Sequence, residues 1–220
     1  MNTLQKFDFS APFVPAADPT DGLLHIDELG SPVEVLVGIW IAMRPGDYIQ
    51  LMLNGELIGP VRTLSETEGP DQIISMEIDP RDLLNEGKHL LGFRASNHEN
   101  GVEVDSKTVP LIIDRTAPGA SLLAPALLPD ISVGDSANAK IPGYAGMEPG
   151  DTIETLCNNT EGPTFLVQPD NLTTTPIEIR FTKDFLDSLQ SDKVTLTYHV
   201  TDRAGNRSIL AQPVELTIAR

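Results

Sequence analysis

Leu111-Ile112-Ile113-Asp114-Arg115-Thr116-Ala117-Pro118 decides how this chain is read. An apolar run closes in Asp114-Arg115, and Thr116-Ala117-Pro118 opens something new. The last residues, Leu216-Thr217-Ile218-Ala219-Arg220, copy the left half of that junction. Ser10-Ala11-Pro12 is a weaker copy of its right half. The chain is therefore one module written twice, with this segment as the seam.

Working outward, the two halves keep step. Met43-Arg44-Pro45-Gly46-Asp47-Tyr48-Ile49 aligns with Met147-Glu148-Pro149-Gly150-Asp151-Thr152-Ile153, an offset of 104 that also matches Trp40 with Tyr144. Leu91, Phe93 and Ala95 align with Leu196, Tyr198 and Val200, and Val109, Leu111 and Ile113 with Val214, Leu216 and Ile218, at an offset of 105. A drift of one residue admits only small loop changes, and dispersed matches with a shared alternation mark a true repeat. The expected division is an N-terminal arm at 1–9, a first domain at 10–115 and a second at 116–220, each domain of ordinary size.

The period inside each module is two. Val33, Val35 and Val37 alternate in a strand expected from Pro32 to Ala42, and Ile49, Leu51 and Leu53 in the next, closed by the hairpin pair Asn54-Gly55. Ile74, Met76 and Ile78 make another, His89 to Ala95 the next, and Thr108 to Asp114 the last; Leu23 to Ile26 reads as the first. Pro45-Gly46-Asp47 is a turn, with Pro presetting φ and Gly free to take positive φ. Asp79-Pro80 opens a single helical turn that Gly87 stops, and Lys183 to Leu189 is its counterpart. About seven short strands per module, with no helix long enough for a parallel crossover, predict an all-β chain of two tandem Greek-key β-sandwiches. The arm's Phe7 and Phe9 are expected to strap onto the edge of the first module, with docking on another subunit as the alternative.

Composition narrows function. The chain has 220 residues, a net charge of −17 and a pI near 4.4. Phosphate backbones and anionic lipid would repel it, so nucleic acid is not an expected partner. No apolar run reaches the ~18–20 residues of a membrane-spanning helix, so membrane insertion is not expected either. The one cysteine, Cys157, allows no internal disulfide. The first fifteen residues carry a single Lys and no apolar core of the signal-peptide kind.

Tyr198-His199-Val200-Thr201-Asp202-Arg203-Ala204-Gly205-Asn206-Arg207-Ser208 resembles a run of bacterial immunoglobulin-like repeats, Tyr-x-Val-Thr-Asp-x-Ala-Gly-Asn-x-Ser, and Asp114-Arg115-Thr116-Ala117-Pro118 resembles the seam that follows each such repeat. The resemblance covers both modules. It implies tandem immunoglobulin-like domains of large adhesin-type surface or secreted proteins, and an extracellular or cell-surface location. It implies a non-catalytic stalk or spacer segment whose partners are other repeats of the same chain. The alternative is a free-standing two-domain protein with a glycan or protein ligand. An end at Arg220, where Arg115 stood in the first copy, is what a cut at a repeat boundary would give. The first module departs from the pattern: Phe93 replaces Tyr198, which leaves no hydroxyl to tie a loop, and Ser96-Asn97-His98-Glu99 replaces Thr201-Asp202-Arg203-Ala204.

No Gly-x-Ser-x-Gly elbow, P-loop or dinucleotide fingerprint occurs, so no catalytic residues are assigned and no enzyme is expected. The expected cofactor list is empty, with calcium as the one candidate. Calcium needs six to eight oxygens, several from carboxylates; Asp114, Glu148, Asp151 and Asp202 are the candidates, although Asp202 to Asn206 also reads as a plain tight turn. Trp40 and Tyr48, flanking the Pro45 turn, are the candidates for stacking on a ligand. Cys157 aligns with Leu53 and should be a buried hydrophobe. His89 aligns with Val194 and should be part-buried, whereas His199, flanked at two-residue spacing by Thr197 and Thr201, should be exposed.

Overall fold

Val33, Val35 and Val37 are all buried and their neighbours on either side are not, so β1 (Val33–Gly38) has the one-sided alternation of a strand on a core. In the computed structural model, residues 9–39, 43–69, 72–128 and 136–218 are described, and the chain divides into two compact units, Met1–Arg115 and Thr116–Arg220. The first unit continues with β2 (Tyr48–Leu53), β3 (Glu56–Thr63), β4 (Ile73–Ile78), β5 (Gly87–Ser96), β6 (Glu103–Asp105) and β7 (Val109–Ile113). The second holds β8 (Ser136–Ile141), β9 (Thr152–Cys157), β10 (Thr160–Leu166), β11 (Ile177–Thr182), helix α1 (Lys183–Ser188), β12 (Lys193–Thr201) and β13 (Val214–Thr217).

In the first unit β1 pairs with β4, and β3-β2-β5 form the other sheet, with β6 and β7 sharing the far edge of β5. All these ladders are antiparallel. The chain passes from one sheet to the other between β1 and β2, back for β4, and over again for β5, which is a Greek-key sandwich of the immunoglobulin type. The second unit repeats it, with β8 on β11 and a β10-β9-β12-β13 sheet. Each sandwich closes on one apolar core. Ile49, Leu51, Leu91, Phe93 and Leu111 face Val35, Val37, Ile74 and Ile78 in the first; Ile153, Cys157, Leu196, Tyr198 and Val200 face Ala139, Ile141, Ile179 and Phe181 in the second.

Local chemistry sets the turns. Asn54 and Gly55 both take positive φ (54° and 86°), the requirement of a two-residue hairpin whose twist matches its strands. Asn158 and Asn159 do the same in the second unit (50° and 65°). Asp79 accepts the Arg81 N–H and caps a 3-10 turn at Pro80–Leu83; Thr182 caps α1 through the Phe185 N–H.

Two expectations change. Leu23 to Ile26 is not a strand. Phe13 bridges Leu36 of β1 antiparallel, the segment turns on itself through an Ala17–Leu24 bridge, and Leu23 then pairs in parallel with Ile112 of β7. This first segment crosses from one sheet to the other, and Ile26–Gly30 follows as a 3-10 turn. Strand β3 had no reading in the sequence at all. Its residues are exposed or half-buried throughout, because it is an edge strand paired only with β2.

Phe93 and Tyr198 show how one position is completed in two ways. The Tyr198 ring is fully buried and its hydroxyl donates to the Ala124 carbonyl at 2.6 Å. In the first unit, Phe9 lies against Phe93, ring centroids 6.3 Å apart, and the Phe9 carbonyl accepts the Lys107 N–H at 2.9 Å. Phe7 lies outside the described residues. Tyr198→Phe should destabilise the second unit by about 1 kcal/mol, because the exposed Ala124 lets water replace the lost donor. Urea unfolding followed by hydrogen exchange in peptides of 136–218 checks it; unchanged protection there would mean that the hydroxyl ties nothing.

Candidate functional site

The repeated Pro-Gly-Asp turn puts a buried carboxylate at the same place in both units. Pro45-Gly46 and Pro149-Gly150 bend the chain, with the two glycines at φ 91° and 100°, and Asp47 and Asp151 then enter β2 and β9 only 4% and 1% exposed. Each bonds back into its own turn, Asp47 Oδ2 accepting the Arg44 N–H and Asp151 Oδ2 the Glu148 N–H. The surroundings then diverge. Asp47 Oδ1 accepts from the Asn97 side chain, the His98 N–H and the His98 ring Nδ1 at 2.9–3.2 Å. Burial works to raise the Asp47 pKa, but the His98 and Arg44 hydrogen bonds and the His98 charge hold it below the ordinary carboxylate value. Asp151 has the Tyr144 hydroxyl on Oδ2 at 2.8 Å, and the residues in place of Asn97 and His98 are Asp202 and Arg203. Burial, with the charges of Asp202 and Glu148 behind it, keeps Asp151 above the ordinary value despite the Glu148 N–H and Tyr144 bonds.

Asp202 holds the tight turn. Its two carboxylate oxygens accept the Asn206 N–H and the Asn206 amide at 2.8 and 3.0 Å, and Gly205 takes φ 87°. Of the calcium candidates, Asp202 and Glu148 both act on Asp151 in the second unit, whereas Asp114 follows the end of β7 in the first. Among the described residues, no group of three or more His, Cys, Asp and Glu side chains is placed to hold a metal ion. Tyr48 is half-buried on β2; Ile49, Leu51 and Leu53 face the core, which turns Tyr48 to the outer face of its sheet. Trp40 lies outside the described residues.

The histidines are bonded. His89 is 8% exposed, its Nδ1 accepting from the Asn54 amide and its Nε2 donating to the Asn85 carbonyl, both at 2.9 Å. His199 was expected to be exposed and is only 2% exposed. The flanking threonines were a fair sign of an outward face; what covers the ring comes from elsewhere in the chain. Glu154 of β9 meets Nε2 at 2.7 Å and also accepts from Thr201, and Arg207 reaches Nδ1 at 3.3 Å. A guanidinium can only donate, so Nδ1 accepts and Nε2 carries the proton offered to Glu154. Cys157 is 1% exposed, and burial pushes its thiol up to about 11, away from thiolate chemistry.

Fold and site together define a class: an acidic chain of two immunoglobulin-like sandwiches whose buried aspartates and histidines are hydrogen-bonded within their own unit. No protein-family model and no curated protein matches the sequence. Similar solved structures include that of a bacterial ice-binding adhesin, at 14% identity and TM-score 0.47, covering 90% of this chain and 60% of that one. Fibronectin(III)-like modules of CbhA from Clostridium thermocellum align over 94% of this chain and 93% of theirs, at 10% identity and TM-score 0.44. The adhesin domain of Epf from Streptococcus pyogenes aligns over 96% and 89%, at 14% identity and TM-score 0.35. The chain spans less than two thirds of the ice-binding adhesin chain's own length.

Proposed function

We propose that this chain is a non-catalytic structural or interaction module, a stalk or spacer segment of a larger bacterial surface or secreted protein. The observation that carries this reading is the duplication of the sandwich itself. Val33, Val35 and Val37 have their buried counterparts in Ala137, Ala139 and Ile141, and Leu91, Phe93 and Ala95 theirs in Leu196, Tyr198 and Val200. A module copied with its core intact adds a second folded unit to the chain. It adds no second active site, and Asp47, His89, Asp151 and His199 are each bonded to groups of their own unit.

Pulling on single chains between terminal handles tests the spacer reading. Two separate unfolding events are expected, each releasing roughly 350 Å of chain, since ~105 residues extend at 3.3–3.6 Å apiece. A chain that yields smoothly at low force would overturn it. The second reading, a ligand-binding protein, is favoured by the outward-facing Tyr48. Glycan-array binding that is lost in Tyr48→Ala or Trp40→Ala would establish that reading.

A further inference from the structure

Strand β11 is bonded on one side only, to β8. Lys140 of β8 fixes which of its groups stay open. The Lys140 N–H donates to the Leu127 carbonyl and its C=O accepts the Leu127 N–H, both at 2.8 Å. Lys140 and Glu178, which lie opposite each other, are therefore a non-hydrogen-bonded pair. By alternation, Ile177, Ile179 and Phe181 bond to β8, whereas Glu178, Arg180 and Thr182 turn their N–H and C=O groups to the open edge. We propose that this edge is a two-fold contact between two copies of the chain, with β11 antiparallel to β11 of the second copy and Glu178 of each opposite Arg180 of the other.

The strand itself sets that register. A two-fold axis at Ile179 puts Glu178 opposite Arg180 on both sides of the axis. Both residues point their backbone groups outward, so each pair exchanges both of its N–H···O bonds. The same register sets a carboxylate against a guanidinium on one face, which is the favourable cross-strand pairing; like charges there would repel. The two charges are available. Glu178 and Arg180 are exposed, Glu178 has the Lys140 ammonium at 3.4 Å, and no acid among the described residues pairs with Arg180.

Other edges are closed or mismatched. In β10, Gly162-Pro163 bulge opposite Thr155, whose hydroxyl donates to the Pro163 carbonyl at 2.7 Å. In β3, Gly59-Pro60-Val61 bulge opposite Gln50, whose amide donates to the Gly59 carbonyl at 2.8 Å. Bulges and prolines of this kind keep other strands from pairing. β10 approaches β11 where Gly162 meets the Phe181 and Phe185 rings, but forms no ladder with it. β4 and β11 keep an unbroken register. On β4, Leu36 bonds to Phe13, so Ser75 opposite it faces out, as do Ile73 and Glu77, and none of these is a cation. Of the two straight edges, β11 alone carries both signs. Pro176, which would meet Thr182 of the second copy, has no N–H and ends the ladder, so the contact is short and the dimer weak.

The contact neither needs nor excludes the spacer reading, because the pulling experiment reads single chains. The test is sedimentation equilibrium of the full chain in about 0.15 M salt, which screens the −17 of each copy beyond ~8 Å but not touching pairs. A monomer–dimer equilibrium is expected, with a dissociation constant on the order of 100 μM. Amide exchange at Glu178 and Arg180, read by NMR, should slow as the dimer fills, while Ile177, Ile179 and Phe181, already bonded to β8, should not respond. Arg180→Glu and Glu178→Arg should each weaken the dimer at least about tenfold, since like charges then face each other. Both positions are exposed, so the thermal midpoints should hold. An equimolar mixture of the two variants should dimerise again, because an acid then lies opposite a base at both pairs. A chain that stays monomeric to about 1 mM, roughly ten times that constant, would overturn the proposal. So would a dimer indifferent to Arg180→Glu, or a mixture no tighter than either variant alone.

Discussion

Asp47→Asn should destabilise the first unit by about 2–3 kcal/mol, while Asp151→Asn, at the same place in the second, should stabilise its unit by about 1 kcal/mol. The opposite signs come from which oxygens are engaged. Asp47 uses both, Oδ2 for Arg44 and Oδ1 for Asn97 and His98, so an amide nitrogen at either position faces a donor it cannot accept. Asp151 receives both its Tyr144 and its Glu148 bonds on Oδ2. An asparagine oxygen can keep both, and the new amide removes a buried charge that sits near Asp202 and Glu148. Acid should separate the units in the same way. The Asp47 pKa is lowered in the folded state, so its contribution is present above the ordinary value of 3.8 and is lost as pH falls from there through the folded value. The Asp151 pKa is raised, so its ionisation costs the second unit stability at neutral pH, and that cost is relieved as pH falls through the raised value towards 3.8. Hydrogen exchange resolved by peptide, run on the full chain between pH 7 and 3, reads both units at once. Parallel responses of the two substitutions would sink this account.

Gly22→Ala should cost at least about 3 kcal/mol, whereas Gly55→Ala, at the same φ of 86°, should cost only about 1–2 kcal/mol. At Gly55 an added Cβ meets nothing within 4 Å, so only the left-handed backbone resists it. At Gly22 the Cβ would lie 2.2 Å from the Pro110 carbonyl oxygen. Retreat is blocked, because Gly22 and Leu24 both bond to Ile112 of β7, at 2.8 and 3.0 Å. The clash is therefore resolved by breaking that pairing, and the loss should appear in thermal midpoints and in exchange at residues 13–24 and 109–113. Equal losses in the two variants would show that the Pro110 contact simply relaxes.

What could be read from the sequence was whatever faces a core. β1, β2, β4 and β5 announce themselves because alternate residues are buried against the opposite sheet, and the copied offsets carry the same reading into the second unit. β3 and β10 were silent, since an edge strand with Gly59-Pro60 or Gly162-Pro163 inside it has no alternating face to show. Leu23 to Ile26 was apolar for another reason: it seals a crossing between sheets. The candidate site was less legible than the fold. The Pro-Gly-Asp turn was visible in both copies, but the partner that sets the Asp47 charge, His98, lies 51 positions away, and Glu154 lies 45 positions from the His199 it covers. Local pattern carries no information about such pairs; only the register of β2 with β5 and of β9 with β12 brings them together.

Phe9 gives the duplicated module an unequal ending. The second copy finishes its core with a hydroxyl it carries on its own strand, at Tyr198; the first borrows a ring from the residues that precede it. Counting by repeats puts the start of the first copy at Ser10, just after that ring. Anyone excising the module at the boundary its own periodicity suggests would strip Phe93 of the ring packed against it, so the unit that evolution copied and the unit that can be cut out whole are not the same piece of chain.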